Sequence, residues 1–487
     1  MTDTPDHLPA SSAPALECGR AQPTLARNMG LFALVVYGVG DMVGSGVYAT
    51  IGTAAGKMGN AVWLAFAVSM VAAMLTGMSY ACISSRYPRA AGAAYVTHRA
   101  FRIGFLSYLV GLAVTASGLT SMATSSNAFA RTLRELLRSA ALGIDVPLWV
   151  IIVGFLALLT FLNFWGIRES MWGNLVCTLI EVGGLLLVII VGAKYWGSVD
   201  YFEFPPRADE RGQTPLGTTG LVMAGAVLTF FSFVGFEDML NVAEEVRDPV
   251  RTCPRGIMIA IAVTTVLYIG ISVTAVSVVN YRELSDFGRG APLEQITRRA
   301  APWLPGNTYT FITMFAVANT ALINFIMGSR LIYGMSRHGL MPAALGRVHP
   351  WRRTPHVAIG VLSVVVLVLA LLGNIGDLAA ATSLLLLGCF VIVNTALVVL
   401  KRRPSEPRGA FEVPTVVPVL GALVCAALIV ARLLERDAGG EWNWKAPAIA
   451  AGVGVGIAVI YLVHRPKAIT EDELVVEVEG GVNGARR

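Results

Sequence analysis

The sequence predicts an all-α polytopic membrane protein with twelve transmembrane helices. Three observations carry that prediction. Of 487 residues, 55% are hydrophobic and only 14% charged, against roughly 25% charged in soluble domains. Twelve apolar runs approach the about 20 residues that a bilayer span needs. Two of those runs are interrupted by glycines or acids where an ordinary buried helix would have neither. A soluble chain of this length would need polar side chains to cover its surface. Their scarcity excludes an ordinary cytosolic enzyme, a disordered tail protein and a disulfide scaffold.

Taken in order, residues 1–29 are polar and rich in Pro and Ser. They contain no apolar core and read as a disordered cytoplasmic tail, not a signal peptide. The runs follow at about 30–52, 60–84, 103–128, 147–165, 172–195, 218–240, 257–279, 307–334, 356–373, 378–400, 414–433 and 445–464. The third and eighth are long enough to tilt or to project beyond the bilayer. Residues 465–487 form a second cytoplasmic tail. Most of the 37 Lys and Arg fall in the two tails and in the loops after even-numbered runs, the richest being Arg330 to Pro355. The positive-inside rule then puts both termini in the cytoplasm of a multi-pass protein of the cytoplasmic (plasma) membrane. The net charge of +6 belongs to those loops. No Lys/Arg cluster alternates with aromatics, so no nucleic-acid partner is expected. Six cysteines (Cys18, Cys82, Cys177, Cys253, Cys389, Cys425) are scattered without a C-x-x-C pair, and neither a disulfide framework, a metal site nor a cofactor is indicated.

Run 1 is broken by Gly38-Val39-Gly40-Asp41-Met42-Val43-Gly44-Ser45-Gly46, four glycines in nine residues. Run 6 carries Phe231-Ser232-Phe233-Val234-Gly235-Phe236 and then Glu237 and Asp238. If runs 1–5 and 6–10 are two halves, these interruptions occupy corresponding positions, which is the pattern of a transporter site between inverted repeats. Unwound backbone at membrane depth must be satisfied by something, and a polar substrate or ion can do so. The alternative is close helix packing, because Gly40/Gly44, Gly52/Gly56 and Gly452/Gly456 each form G-x-x-x-G. Packing suits the last pair, which no charge accompanies. Unwinding suits run 1, where Asp41 and Ser45 accompany the glycines.

An ionisable residue at a span centre costs about 2.5–3.5 kcal/mol on insertion scales, so each needs a reason. Asp41 lies about 16 Å along run 1 by the helical rise. It can bind a substrate ammonium, carry a proton, or cap N–H groups exposed at the break. Glu181 sits in run 5 with no other charge nearby and is a candidate proton carrier, or a hydrogen-bonded structural carboxyl. Glu237 and Asp238 come towards the end of run 6 and are expected in a vestibule at the intracellular exit. Gly38-Val39-Gly40-Asp41 also matches the G-x-G-D of intramembrane aspartyl proteases. That chemistry needs two aspartates in one site, and no other run offers a clean mid-membrane Asp.

In combination, the motifs resemble those of the amino acid–polyamine–organocation (APC) superfamily, nearest to the cationic amino acid transporter branch and its bacterial relatives. The resemblance rests on Gly38 to Tyr48, Ser84-Ser85-Arg86-Tyr87-Pro88 to Tyr95, Phe230 to Phe236, Ala243-Glu244-Glu245-Val246-Arg247-Asp248-Pro249, and Gly328-Ser329-Arg330 to Gly339. It implies the leucine-transporter fold: a five-plus-five inverted repeat, 30–195 and 218–400, followed by two helices in 414–464. It implies that backbone N–H groups around Met42, Gly44, Ser45 and Gly46 hold a substrate carboxylate, as a half-helix N-terminus attracts anions. Carbonyls of Phe231, Ser232 and Val234 would meet the ammonium, Phe231 or Phe233 would gate the pocket, and helices 3, 6, 8 and 10 would supply specificity.

The chain departs from the family pattern at three places. Glu181 stands where some proton-coupled relatives have lysine, so either a proton or a sodium ion fits there. Cys82 replaces a common Glu, and Asp41 replaces a small or apolar residue, which favours a substrate with positive charge to spare. The expected function is secondary active transport of an amino acid or related amine by alternating access, as proton-coupled symport or exchange. The expected partners are the substrate, the lipid bilayer and H+. A membrane amino-acid sensor is the main alternative, but it would be expected to carry a large soluble domain that these tails do not supply. The intramembrane protease is the other.

Overall fold

A computed structural model describes residues 27–89, 92–139, 145–205, 217–286, 291–305, 307–372, 376–434 and 444–464; most of the N-tail and all of the C-tail lie outside them. Every regular element among the described residues is helical: α1 (Leu31–Val43), α2 (Ser45–Met58), α3 (Val62–Arg86), α4 (Gly92–Phe101), α5 (Gly104–Ser139), α6 (Leu148–Trp165), α7 (Ile167–Gly192), α8 (Gly217–Phe230), α9 (Asp238–Asn241), α10 (Pro249–Val278), α11 (Tyr281–Leu284), α12 (Pro292–Ala300), α13 (Thr308–Arg337), α14 (His356–Leu372), α15 (Gly376–Lys401), α16 (Val416–Leu433) and α17 (Lys445–His464). Ten helical stretches are long and apolar enough to cross a membrane, and two shorter apolar helices, His356–Leu371 and Ala450–Leu462, accompany them. α5 runs well past the predicted 128, over 36 residues, and α13 runs over 30.

The outward faces of α6, α7, α14, α16 and α17 expose Leu158, Ile190, Val364, Leu423 and Leu462, as helices facing hydrocarbon do. Exposed tryptophans sit near helix ends, including Trp149, Trp165, Trp196 and Trp303, and indole rings suit the boundary between lipid and water. Inside, α1 packs against α10 and α7, α10 against α3, and α13 against α5. Small residues permit the close approaches.

Both predicted interruptions are present. The first run bends at Gly44 (φ −45°, ψ −145°) between α1 and α2. The sixth leaves α8 through one 3-10 turn, Phe231–Phe233, and reaches α9 only after a turn over 234–237. Gly235 adopts φ +129° there, a region that L side chains rarely enter.

Candidate functional site

The two interruptions cross in backbone contact. A Cβ on Gly46 would lie 3.0 Å from Ser232 Cα, and one on Gly235 would lie 2.9 Å from Asp41 Cγ. Side chains from neighbouring helices tie the crossing. The Tyr268 hydroxyl donates to the Ser232 carbonyl at 2.7 Å and also meets the Met42 carbonyl, while Thr50 and Ser232 hydroxyls bond at 2.8 Å. One α10 side chain thereby serves carbonyls that the two breaks leave without intrahelical partners.

A cavity of about 40 Å³ lies at this crossing. Of the residues singled out from sequence, Asp41, Met42, Gly46, Phe231, Val234, Glu237 and Asp238 line it. Gly44 caps the N-terminus of α2 without a side-chain cap, so the first N–H groups of that half-helix are not taken by a capping side chain. The side chain of Ser45 lies outside the described residues.

Glu237 and Asp238 are not in a solvated vestibule. They are 3% and 4% exposed and share the cavity with Asp41, because the turn at 234–237 folds them back across α1. A second aspartate does share the site, since Asp238 lines the same cavity as Asp41. Asp41 Oδ2 has no hydrogen-bond partner. Of the two candidate gate aromatics, Phe231 lines the cavity, whereas Phe233 is buried against the Tyr268 ring, centroids 5.0 Å apart. Two of the three carbonyls assigned to the ammonium are already engaged, that of Phe231 by Val234 N–H and that of Ser232 by Tyr268. Each keeps a second lone pair.

Glu181 sits behind α1 and does not line the cavity. Asn319 Nδ2 donates to Glu181 Oε2 and to Thr178 Oγ1, each at 3.0 Å, and Thr178 donates to Asn174 Oδ1 at 3.1 Å. Gly40 admits this cluster, since a Cβ there would lie 2.1 Å from Thr178 Oγ1. Glu181 Oε1, Asn174 Nδ2 and Asn319 Oδ1 are buried without partners.

Sequence reasoning left the walls of the cavity unplaced. Ser117 and Ser121 of α5, Thr320, Asn324 and Met327 of α13, and Leu386 of α15 supply them. The signal was present as small polar residues four apart in apolar runs, 117/121 and 320/324, which a helix stacks on one face. A second polar group was legible only as motif. Arg330 and Glu245, 0% and 1% exposed, pair at 3.0 Å, and Arg330 also donates to Asn163 Oδ1 and Ser329 Oγ.

A family model described as amino acid permease matches residues 29–458. The branched-chain amino acid permease BcaP of Bacillus subtilis is 28% identical over 433 residues, covering 84% of this chain and 89% of the relative. The methylthioribose transporter of the same organism is 29% identical over 420 residues, covering 82% and 87%. Cationic amino acid transporter 9, chloroplastic, of Arabidopsis thaliana is 30% identical over 361 residues, covering 70% and 61%.

Proposed function

The chain belongs to the amino acid permease family, and from that premise we propose that it moves an amino acid or related amine across the cytoplasmic membrane by alternating access. It is a transporter and not an enzyme, as its relatives are named. The crossing of two interrupted helices around a small cavity carries the proposal. Backbone freed at the breaks offers N–H donors at α2 and carbonyls at 231–234, the two ends an amino acid needs. On this view the protein spans the bilayer twelve times with both termini in the cytoplasm. Ten helices form a five-plus-five inverted repeat, and α16 and α17 are additional. Alternate opening of the cavity to either side then carries the substrate across.

Transport is coupled to protons, as symport or exchange. Glu181 is one candidate for the coupling site, supported by its buried, half-satisfied carboxyl and by the orphan amide atoms beside it. Uptake by proteoliposomes of a panel of labelled amino acids and amines, with and without an acid-outside gradient, tests the function. Saturable uptake of at least one is expected, and none at all sinks the proposal. Glu181→Gln should abolish gradient-driven uptake while sparing binding. Unchanged pH dependence removes Glu181 from the coupling.

A further inference from the structure

At one end of α6 and α14 lies a group of cations that the transport site does not use. The loop from α13 into α14 carries Arg347, Arg352 and Arg353, all exposed. Among the described residues none of the three is paired with a carboxylate. Solvent-facing arginines elsewhere do find partners: Arg134 and Arg138 share Asp145, and Arg298 meets Glu294.

The loop is held in shape by its own bonds. Arg353 N–H donates to the His349 carbonyl and His349 N–H to the Thr354 carbonyl, each at 2.9 Å. Arg352 N–H donates to His349 Nδ1 at 3.2 Å, and the Thr354 hydroxyl donates to the Phe164 carbonyl of α6 at 3.1 Å. These bonds keep Arg353 at φ +54°, a left-handed conformation uncommon for a residue with a side chain. Such backbone persists only where its surroundings over-determine it, and an outlier of this kind points to function. The Arg352 guanidinium lies over the Trp165 ring, 3.9 Å from its centroid. Stacking occupies the face of a guanidinium and leaves its N–H edge for an anion. The loop also leads into the N-terminus of α14, whose partial positive charge adds to the cations.

Beside the cations the surface turns apolar. Trp165 ends α6, and Trp351 is 89% exposed; indole rings mark the boundary between lipid and water. The Thr160 and Ser363 hydroxyls join α6 to α14 at 2.9 Å, and the two helices expose Leu158, Phe161, Val361 and Val364.

We propose that the loop over 347–356, with the end of α6, binds the headgroup of an anionic phospholipid whose acyl chains lie along α6 and α14. Guanidinium groups recognise phosphate through paired N–H donors, and cations at a membrane surface attract anionic lipid. The apolar helices recognise chains that a soluble phosphate lacks. A zwitterionic lipid meets the same wall, but its ammonium offsets its phosphate and is repelled by three unpaired arginines. The site therefore selects by headgroup charge. It is separate from the transport cavity, whose lining includes no residue of α6 or α14. On the orientation proposed above it faces the cytoplasmic leaflet.

The full chain, purified in detergent, is given an equimolar mixture of phosphatidylglycerol and phosphatidylcholine with identical acyl chains, and native mass spectrometry counts the lipids retained. Phosphatidylglycerol should be preferred for the first bound position. Arg352→Gln and Arg347→Gln should each lower that preference about fivefold, the contribution of one cation at the surface. Arg353→Gly removes a cation from a conformation that glycine adopts freely, so the melting temperature should hold or rise while the preference falls by the same factor. The double variant Arg402→Gln/Arg408→Gln, at two exposed arginines after α15, should keep the parental preference. Equal retention of the two lipids overturns the proposal, and so does a preference that survives all three loop variants. An equal loss in the Arg402/Arg408 variant overturns it too, because any surface cation would then suffice. Free glycerol phosphate at the lipid's concentration should not displace the bound lipid; displacement would assign the site to a soluble phosphate and overturn the lipid.

Discussion

Glu245→Gln is expected to destabilise the protein by about 3–5 kcal/mol, the usual cost of stranding one member of a buried ion pair. Arg330 and Glu245 are 0% and 1% exposed and 3.0 Å apart, so neither charge has water to fall back on. Asn163 Oδ1 at 2.6 Å and Ser329 Oγ at 2.7 Å stay on Arg330 Nη1, but they are neutral and leave the cation uncompensated. Backbone bonds at the same point join distant segments. Met29 N–H donates to the Glu245 carbonyl at 3.0 Å and Arg247 N–H to the Met29 carbonyl at 2.8 Å. The pair thus ties the lead into α1 and the segment after the second break to α13 and, through Asn163, to α6. Unfolding entropy near 2.1 cal/mol/K per residue amounts to about 1 kcal/mol/K for 487 residues, so the melting temperature should drop by about 3–5 °C. Size-exclusion of heated, detergent-purified protein reads the shift. The double variant Glu245→Leu/Arg330→Met, which removes both charges, should recover most of it, since apolar replacement of a buried pair is often neutral. The reasoning is refuted if Glu245→Gln melts with the parent, or if the double variant loses as much as the two single variants combined.

Three further outcomes are expected. Tyr268→Phe keeps the ring contacts with Phe66 and Phe233 but leaves the Met42 and Ser232 carbonyls without their donor; a loss of about 1–3 kcal/mol in thermal stability should follow, and none would mean that water serves those carbonyls. Gly235→Ala forces a side chain into φ +129° and sets its Cβ 3.1 Å from the Asp41 backbone carbon; strain of about 1–3 kcal/mol should cut uptake velocity as well as stability, and parental behaviour in both would remove the crossing as a constraint. For His338, burial first and then the charges of Arg89, Arg337 and His98 hold the imidazole down at about 4, below its unfolded value of about 6.5. Its contribution is therefore complete above pH 6.5 and lost as pH falls towards 4, so His338→Phe, which keeps a ring against Tyr95, should flatten the acid side of the melting profile in that window.

Helix positions were largely legible because a span announces itself locally, through some 20 apolar residues in a row. Where the match was poor, as at α5, the apolar run ended near 128 while the helix continued to Ser139. Helical propensity and neighbours carried it past the apolar stretch. The breaks were legible for the same local reason, since glycines and acids are costly in a buried helix. Which acids meet was not. Glu237 and Asp238 read as exit residues when placed along a straight run, and the turn at 234–237 moved them to the cavity.

By itself, then, the sequence determined the membrane class, the approximate spans, the two interruptions and, through motif resemblance, the family. Hydrophobic length and backbone satisfaction are properties of a segment and need no partner to be read. Tertiary structure alone decided that Asp41 and Asp238 line one cavity, that Glu181 stands behind α1 with Asn319, and that Arg330 pairs with Glu245. Each of these depends on how a helix is rotated about its axis and where it crosses another. The contact of Tyr268 with Met42 spans 226 residues of chain, and no local pattern encodes it. The energy of a buried carboxyl is set by what lies opposite, and that is known only once the helices are packed.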